Sequence, residues 1–112
     1  MKYRFIFTAQ FDRDLKLLRK HNPSLRGDFE FFIGTFDAEA HPVIAGTSGA
    51  RKARMPAKGR GKRGGYRVIY YLVQGNTVWL ITTYDKVQKE DLSPAEAKMI
   101  NQVIQEIKAG AS

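Results

Sequence analysis

Residues 66–84 read YRVIYYLVQGNTVWLITTY and carry the strongest β-sheet signal in the chain. Tyr66–Val73 is a nearly continuous run of β-branched and aromatic residues, which is typical of a central strand. Gln74–Asn76 contains the Gly and Asn that favour a tight turn, and Thr77–Tyr84 follows as a second β-forming run. The sequence therefore predicts an antiparallel hairpin at the centre of a sheet.

The residues before this hairpin predict a strand, two helices and a further strand. Lys2–Phe7 alternates aromatic and other residues in the manner of a short strand. Thr8 suits the N-cap of a first helix, which should end before the Asn-Pro pair because the residue before Pro avoids helical geometry. A second helix is expected at Pro23–Phe36, and Arg51–Met55 is expected to form a strand beside the hairpin.

The C-terminal part of the chain predicts one more helix. Ser93 and Glu96 have the spacing of a capping box, and Pro94 occupies the first helical position. Apolar residues from Ile100 to Ile107 then recur at helical spacing. The expected fold is a small single α+β domain over residues 1–112, with a mostly antiparallel sheet, an N-terminal strand and two helices before it, and a C-terminal helix.

Composition excludes several classes of protein. The 112 residues suit one domain. With no Cys and two His, the chain predicts no disulfide framework and no metal or cofactor site. No apolar run is long enough for a membrane helix, and no signal peptide is evident. A soluble cytoplasmic domain without membrane contact is expected.

Positive charge is concentrated in one segment. The chain has 19 basic and 11 acidic residues, and no acidic residue lies between Ala40 and Tyr84. Eight basic residues lie in residues 51–67, and the remainder of the chain is balanced. This segment is internal, rich in Gly and followed by apolar strands, so it favours a polyanionic partner, most simply a nucleic acid.

A cationic surface can be catalytic when RNA is the substrate. The 2′-hydroxyl of RNA can attack the adjacent phosphate and leave a 2′,3′-cyclic phosphate and a 5′-hydroxyl. Guanidinium and ammonium groups stabilise the charge that develops on the phosphate, and an aromatic side chain can hold an unstacked base. The same groups would also serve passive RNA binding, so the residues alone leave both functions open.

Two segments resemble a known family of proteins. They read GTSGARKAR at 46–54 and GRGKRGGYRVIYY at 59–71, and YDK at 84–86 followed by DLS at 91–93 continues the likeness. This pattern is similar to the RelE/HigB superfamily of toxins from toxin–antitoxin systems, most of all to its HigB-like branch. The resemblance is specific from Gly46 to about Ser93.

The resemblance implies a ribosome-dependent endoribonuclease that cuts messenger RNA and is neutralised by a cognate antitoxin, which commonly carries a helix-turn-helix domain and alone contacts operator DNA. It implies no metal and no cofactor. Matching positions imply five catalytic residues, namely Lys52, Arg54, Arg67, Tyr84 and Lys86. A second group is implied to bind RNA or the ribosome, namely Arg51, Lys58, Arg60, Lys62 and Arg63.

Two departures from the family pattern and two alternatives stay open. Asp85 replaces a frequent Gly, and the chain lacks a His near its C-terminus, so proton transfer falls to Lys52, Tyr84 or Lys86. One alternative is a ParE-type gyrase poison, which shares the fold without these cations. The other is a non-catalytic RNA- or DNA-binding module.

Overall fold

The computed structural model describes residues 3–58 and 65–110. The described residues form four strands and three helices in the predicted order. Their bounds are β1 Arg4–Phe7, α1 Ala9–His21, α2 Leu25–Gly34, β2 Arg51–Pro56, β3 Gly65–Val73, β4 Thr77–Asp85 and α3 Pro94–Gly110. The α+β prediction is confirmed.

The four strands form one mixed sheet in the order β1-β4-β3-β2. β3 pairs antiparallel with both β2 and β4, and the short β1 runs parallel to β4. The register of β4 shifts at one position, because Tyr70 pairs with Leu80 whereas Ile69 pairs with Thr82. Ile81 is thus an extra residue, a β-bulge, in β4.

One face of the sheet packs against α1 and α2 through a core rich in aromatic rings. Thr8 caps α1 by accepting a hydrogen bond from the Phe11 backbone N–H at 3.1 Å, and it also donates to the β4 carbonyl of Leu80 at 2.9 Å. Phe11 is fully buried. The core on this face also contains Leu25, Phe32, Phe36, Ala53, Met55, Tyr66, Val68, Tyr70, Val78 and Leu80.

The other face packs against α3 and contains a smaller core. Ile69 from β3 and Ile81 from β4 contact Ile100 and Ile104 of the helix. The predicted capping box begins α3, since the Ser93 N–H donates to Glu96 at 2.8 Å and the Glu96 N–H donates to Ser93 Oγ at 3.1 Å. The sheet therefore lies between two layers of helices.

Local differences from the sequence prediction are small. The second helix spans Leu25–Gly34 and is shorter at both ends than predicted: Ser24 is its N-cap, and at the other end the Thr35 N–H makes the hydrogen bonds that close the last turn. Trp79 of β4 is half-buried beside the C-terminal half of α3. The turn at 74–76 is present, and Gly75 adopts the positive φ of 98° that Gly tolerates best.

In the part of the chain that the structure describes, no helix is both long and apolar enough to cross a membrane.

Candidate functional site

Three of the predicted catalytic residues form a row across the sheet. Arg54 of β2 pairs with Arg67 of β3, and Arg67 pairs with Tyr84 of β4. Directly paired residues share a face of the sheet, with Cβ atoms about 4.5–5.5 Å apart. The two arginines thus stand side by side next to a phenol, at the end of the sheet where β4 leads toward α3.

The middle of this row is buried, yet not fully paired. Arg67 and Tyr84 are each 7% exposed, whereas Arg54 is exposed. Arg67 Nη1 and the Tyr84 hydroxyl are both buried, and neither has a hydrogen-bond partner within residues 3–58 and 65–110. Buried polar groups are normally hydrogen-bonded, and like charges paired across strands are destabilising. An anion bound at the row would accept hydrogen bonds from both of these buried groups.

Lys52 lies next to the row on the same face. It is two residues from Arg54 along β2, and residues two apart share a face of a strand. Its ammonium group is 3.1 Å from the Asp91 carboxylate, which is largely exposed. Lys52, Tyr84 and Asp91 line one cleft with Leu92, Ser93 and Pro94 at the start of α3.

The environment of Tyr84 keeps its phenol protonated. Burial raises the pKa of this phenol above its usual value, and the nearby Asp91 carboxylate adds to the rise, while the Arg67 guanidinium opposes it. A protonated phenol donates a hydrogen bond but does not act as a base. At neutral pH the Tyr84 hydroxyl is therefore a donor.

Asp85 faces away from Tyr84 and shapes the turn that follows β4. It pairs with Tyr66 on the α1/α2 side of the sheet and is buried. Its carboxylate accepts the Val87 N–H at 2.9 Å, and its carbonyl accepts the Lys89 N–H at 3.1 Å. The Asp85 carboxylate, which lies beside the predicted catalytic residues in the sequence, thus makes a structural contact in the turn. Lys86 lies in this turn, half-exposed, and its N–H donates to the Gly65 carbonyl at 3.0 Å.

The segment 46–49 anchors the start of β2 against α3. The buried Thr47 hydroxyl donates to the Ile44 carbonyl at 2.6 Å and accepts the Ala50 N–H at 3.1 Å. Ser48 contacts both Asn101 and Gln105 of α3. This accounts for the GTSG sequence that precedes Lys52: it is a turn that fixes where the strand begins.

The structure separates Arg51 from the other cations. It precedes Lys52 by one residue and therefore lies on the opposite face, where its guanidinium donates to the His41 carbonyl at 2.8 Å. His41 itself stacks on Phe36 at 5.7 Å, and burial lowers its pKa.

Lys58 is exposed, and its N–H donates to Asp28 at 3.1 Å. Arg60, Lys62 and Arg63 lie outside the described residues.

Three residues of the site were not predicted from the sequence: Lys89, Asp91 and Glu96. Lys89 Nζ lies 4.7 Å from the centre of the Tyr84 ring and forms an ion pair with Glu96. In the sequence, Lys89 and Asp91 lie in a charged linker and Glu96 lies in a helix cap. Only the path of the chain after β4 shows that these residues belong to the site. The described residues contain no group of three or more His, Cys, Asp or Glu side chains that would hold a metal ion.

Comparisons with known proteins give the following matches. The family model described as the RelE toxin of the RelE/RelB toxin–antitoxin system matches residues 35–111. A free-state mutant of the E. coli toxin RelE is 21% identical over 80% of this chain and 90% of that chain, with a TM-score of 0.46. The E. coli DinJ–YafQ toxin–antitoxin complex matches at 14% identity over 81% and 100% of the two chains, with a TM-score of 0.46. YafQ from E. coli strain BL21(DE3) matches at 17% identity over 77% and 96%, with a TM-score of 0.39.

Proposed function

Because this chain belongs to the RelE toxin family of toxin–antitoxin systems, we propose that it is an endoribonuclease that cleaves messenger RNA on the ribosome and thereby inhibits translation. The observation that carries this proposal is the row of Arg54, Arg67 and Tyr84, with buried donors in its middle that lack partners among the described residues. A phosphate group supplies the negative charge and the acceptor oxygens that this row requires. The HigB-like branch remains a prediction.

The proposed reaction uses the RNA's own nucleophile. The 2′-oxygen bonds to phosphorus, the bond to the 5′-oxygen breaks, and the products carry a 2′,3′-cyclic phosphate and a 5′-hydroxyl. Negative charge grows on the phosphoryl oxygens during this step. Arg67 and Arg54 would stabilise that charge more strongly in the transition state than in the ground state, which is what accelerates a reaction. No bound metal is needed in this scheme.

Proton transfer is divided among the remaining residues. Tyr84 is protonated, so it serves as a hydrogen-bond donor to the phosphate or to the departing 5′-oxygen. Lys52 or Lys86 in its neutral amine form would take the proton of the 2′-hydroxyl, and a proton is returned to the departing 5′-oxygen, which becomes the 5′-hydroxyl. The Lys52 ammonium is held by Asp91 in the free protein, so RNA must displace this exposed carboxylate to reach it.

The ribosome and an antitoxin are the proposed partners. A substrate held in place by the ribosome would compensate for a site with few general bases, because orientation alone can supply much of a rate enhancement. The net charge of +8 favours association with ribosomal RNA. Membership in the family implies a cognate antitoxin, and we propose that it carries a helix-turn-helix domain for operator DNA. Messenger RNA and ribosomes place the activity in the cytoplasm.

The reaction is tested with messenger RNA bound to programmed ribosomes. After the cleavage site is mapped, a second message carries a single 2′-deoxynucleotide at that position. We expect the unmodified message to give a 5′-hydroxyl and a 2′,3′-cyclic phosphate, and the deoxy message to remain intact at that site.

Persistent cleavage of the deoxy message, or a 5′-phosphate product, would contradict 2′-hydroxyl attack. Intact message together with loss of DNA supercoiling activity in a gyrase assay would instead support the ParE-type alternative. Binding of RNA without any cleavage would support the other alternative, a non-catalytic nucleic-acid-binding module.

A further inference from the structure

One cation lies directly over the ring of the proposed donor. Lys89 Nζ is 4.7 Å from the centre of the Tyr84 ring, within the distance at which an ammonium group is attracted to an aromatic face. The contact is formed at a half-buried position, where water screens it less than at an exposed one.

The backbone and the ammonium group of Lys89 are each held by a contact. Its backbone N–H donates to the Asp85 carbonyl at 3.1 Å, which closes the turn after β4. Its ammonium group is paired with Glu96, whose carboxylate also accepts the Ser93 N–H at 2.8 Å. These contacts lower the pKa of Glu96, with the Lys89 hydrogen bond as the largest cause. A long and normally mobile side chain is thereby fixed between the Tyr84 ring and the first turn of α3.

We propose that Lys89 is a positioning residue for Tyr84, and that Glu96 holds Lys89 in this role. The cation fixes the ring from its face, while the buried hydroxyl, which has no partner among the described residues, is left for the RNA phosphate beside Arg67. This inference rests on the proposed ribonuclease function and adds to it a link between the cap of α3 and the reacting groups.

The contact between Lys89 and Tyr84 also gives a role to the hydrogen bonds of the turn after β4. Asp85 orients the turn through its carboxylate and carbonyl, so that the chain returns over the residue that precedes it. Its carbonyl thereby helps to hold the backbone of Lys89 in place. The sequence places Lys89 five residues after Tyr84, and only the turn makes the two residues neighbours.

The test compares Lys89→Met with Lys89→Arg and Lys98→Met. Methionine keeps an apolar chain over the ring without the charge, and arginine restores both the cation and the ion pair. Lys98→Met removes the same charge from an exposed position of α3. We expect Lys89→Met to slow single-turnover cleavage on ribosomes about tenfold with an unchanged ribosome concentration at half-saturation. Lys89→Arg should stay within about twofold of the parent rate, and Lys98→Met should equal the parent.

A second readout does not require cleavage. In spectra of protein with ¹³C-labelled tyrosine, Tyr84→Phe identifies the Tyr84 signal. Lys89→Met should shift that signal and raise the pKa of the Tyr84 phenol, because a nearby positive charge is lost, and Lys89→Arg should restore both.

The outcomes separate the two proposals. A Tyr84 signal that is unchanged in Lys89→Met, or equal slowing by Lys98→Met, would overturn the positioning role. An RNA that the parent protein does not cut would overturn the ribonuclease function, whereas the spectra would still decide whether Lys89 holds the ring.

Discussion

The two faces of the sheet differ in what their buried side chains do. The buried side chains on the face toward α1 and α2 are mostly apolar, and the buried polar groups there have partners: the Tyr70 hydroxyl donates to the Ala38 carbonyl at 2.5 Å, and the Asp85 carboxylate accepts the Val87 N–H at 2.9 Å. The face toward α3 is apolar where the helix covers it and polar at the end occupied by Arg67 and Tyr84. The α1/α2 face stabilises the fold, whereas the end of the α3 face that we propose as the site holds two buried groups without partners among the described residues, which costs stability. This contrast predicts that substitutions on the two faces change different quantities.

The largest expected effect is on the α1/α2 face. Phe11→Ala removes a fully buried ring that packs against Phe7 and Phe29. The free energy of unfolding should fall by about 3–5 kcal/mol, because the substitution leaves a cavity. Urea denaturation followed by circular dichroism measures this change. Phe31→Ala, at a residue that is 69% exposed, is the control and should change stability by less than about 0.5 kcal/mol.

The next effect is on cleavage and not on stability. Arg67→Met keeps an apolar side chain in the row but removes the guanidinium group. Single-turnover cleavage on ribosomes should slow by about 10²–10³-fold. The free energy of unfolding should stay equal or rise, because a buried donor without a partner among the described residues is lost along with a charge facing Arg54.

A matched control for Arg67 is Lys58→Met at an exposed position after β2. It should weaken ribosome binding slightly and in a salt-dependent way, with the cleavage step nearly intact. If both variants weakened binding equally and neither slowed cleavage selectively, the row would be a binding surface only.

Tyr84→Phe should produce a smaller loss of cleavage, about ten- to a hundredfold, because the hydroxyl is one donor among several. The same change should leave stability unchanged or slightly higher, since the buried hydroxyl has no partner in the described part of the chain. A clear loss of stability, measured by urea denaturation, would show that the hydroxyl has a structural contact and would weaken the contrast between the faces.

The smallest effect concerns pH. Glu96 has a lowered pKa in the folded protein, so its contribution to stability is present above its unfolded pKa, near 4.5, and is lost as the pH falls through the lower folded value. Glu96→Gln keeps the capping side chain and removes this contribution. Because the ion pair is partly exposed, the difference between the two proteins should stay under about 1 kcal/mol at pH 7 and vanish at low pH. Urea denaturation at several pH values measures it, and a constant difference across this range would contradict the assignment.

The sequence predicts the elements of this fold well because their signals are local. The hairpin at 66–84, the Thr8 cap and the Ser93–Glu96 box each depend on neighbouring residues, and all are present. Strand alternation also places Arg51 and Lys52 on opposite faces of β2. By contrast, the sequence of a strand does not determine which residue of the neighbouring strand it pairs with. The position of Tyr84 opposite Arg67 is therefore known only from the structure.

The contacts of Lys89 and Asp91 could not be predicted from the sequence either. Charged residues in a linker are usually solvated, and nothing in their own neighbourhood marks them as different. Their role follows from a turn that returns the chain across the end of the sheet. Residues that act through the path of a loop are therefore the ones that a linear pattern misses.

The bulge at Ile81 has a consequence for how this site can be altered. Val78, Leu80 and Tyr84 all have even numbers, and in an uninterrupted strand they would share one side of the sheet. The extra residue reverses that parity, so Val78 and Leu80 join the α1/α2 core while Tyr84 joins Arg67. If Ile81 were instead paired as a regular strand residue, the segment after it would be turned over and the phenol would enter the opposite layer, whereas deletion of Ile81 would leave Tyr84 opposite Arg67. The register of β4 is thus as much a part of the candidate site as the side chains of Arg67 and Tyr84.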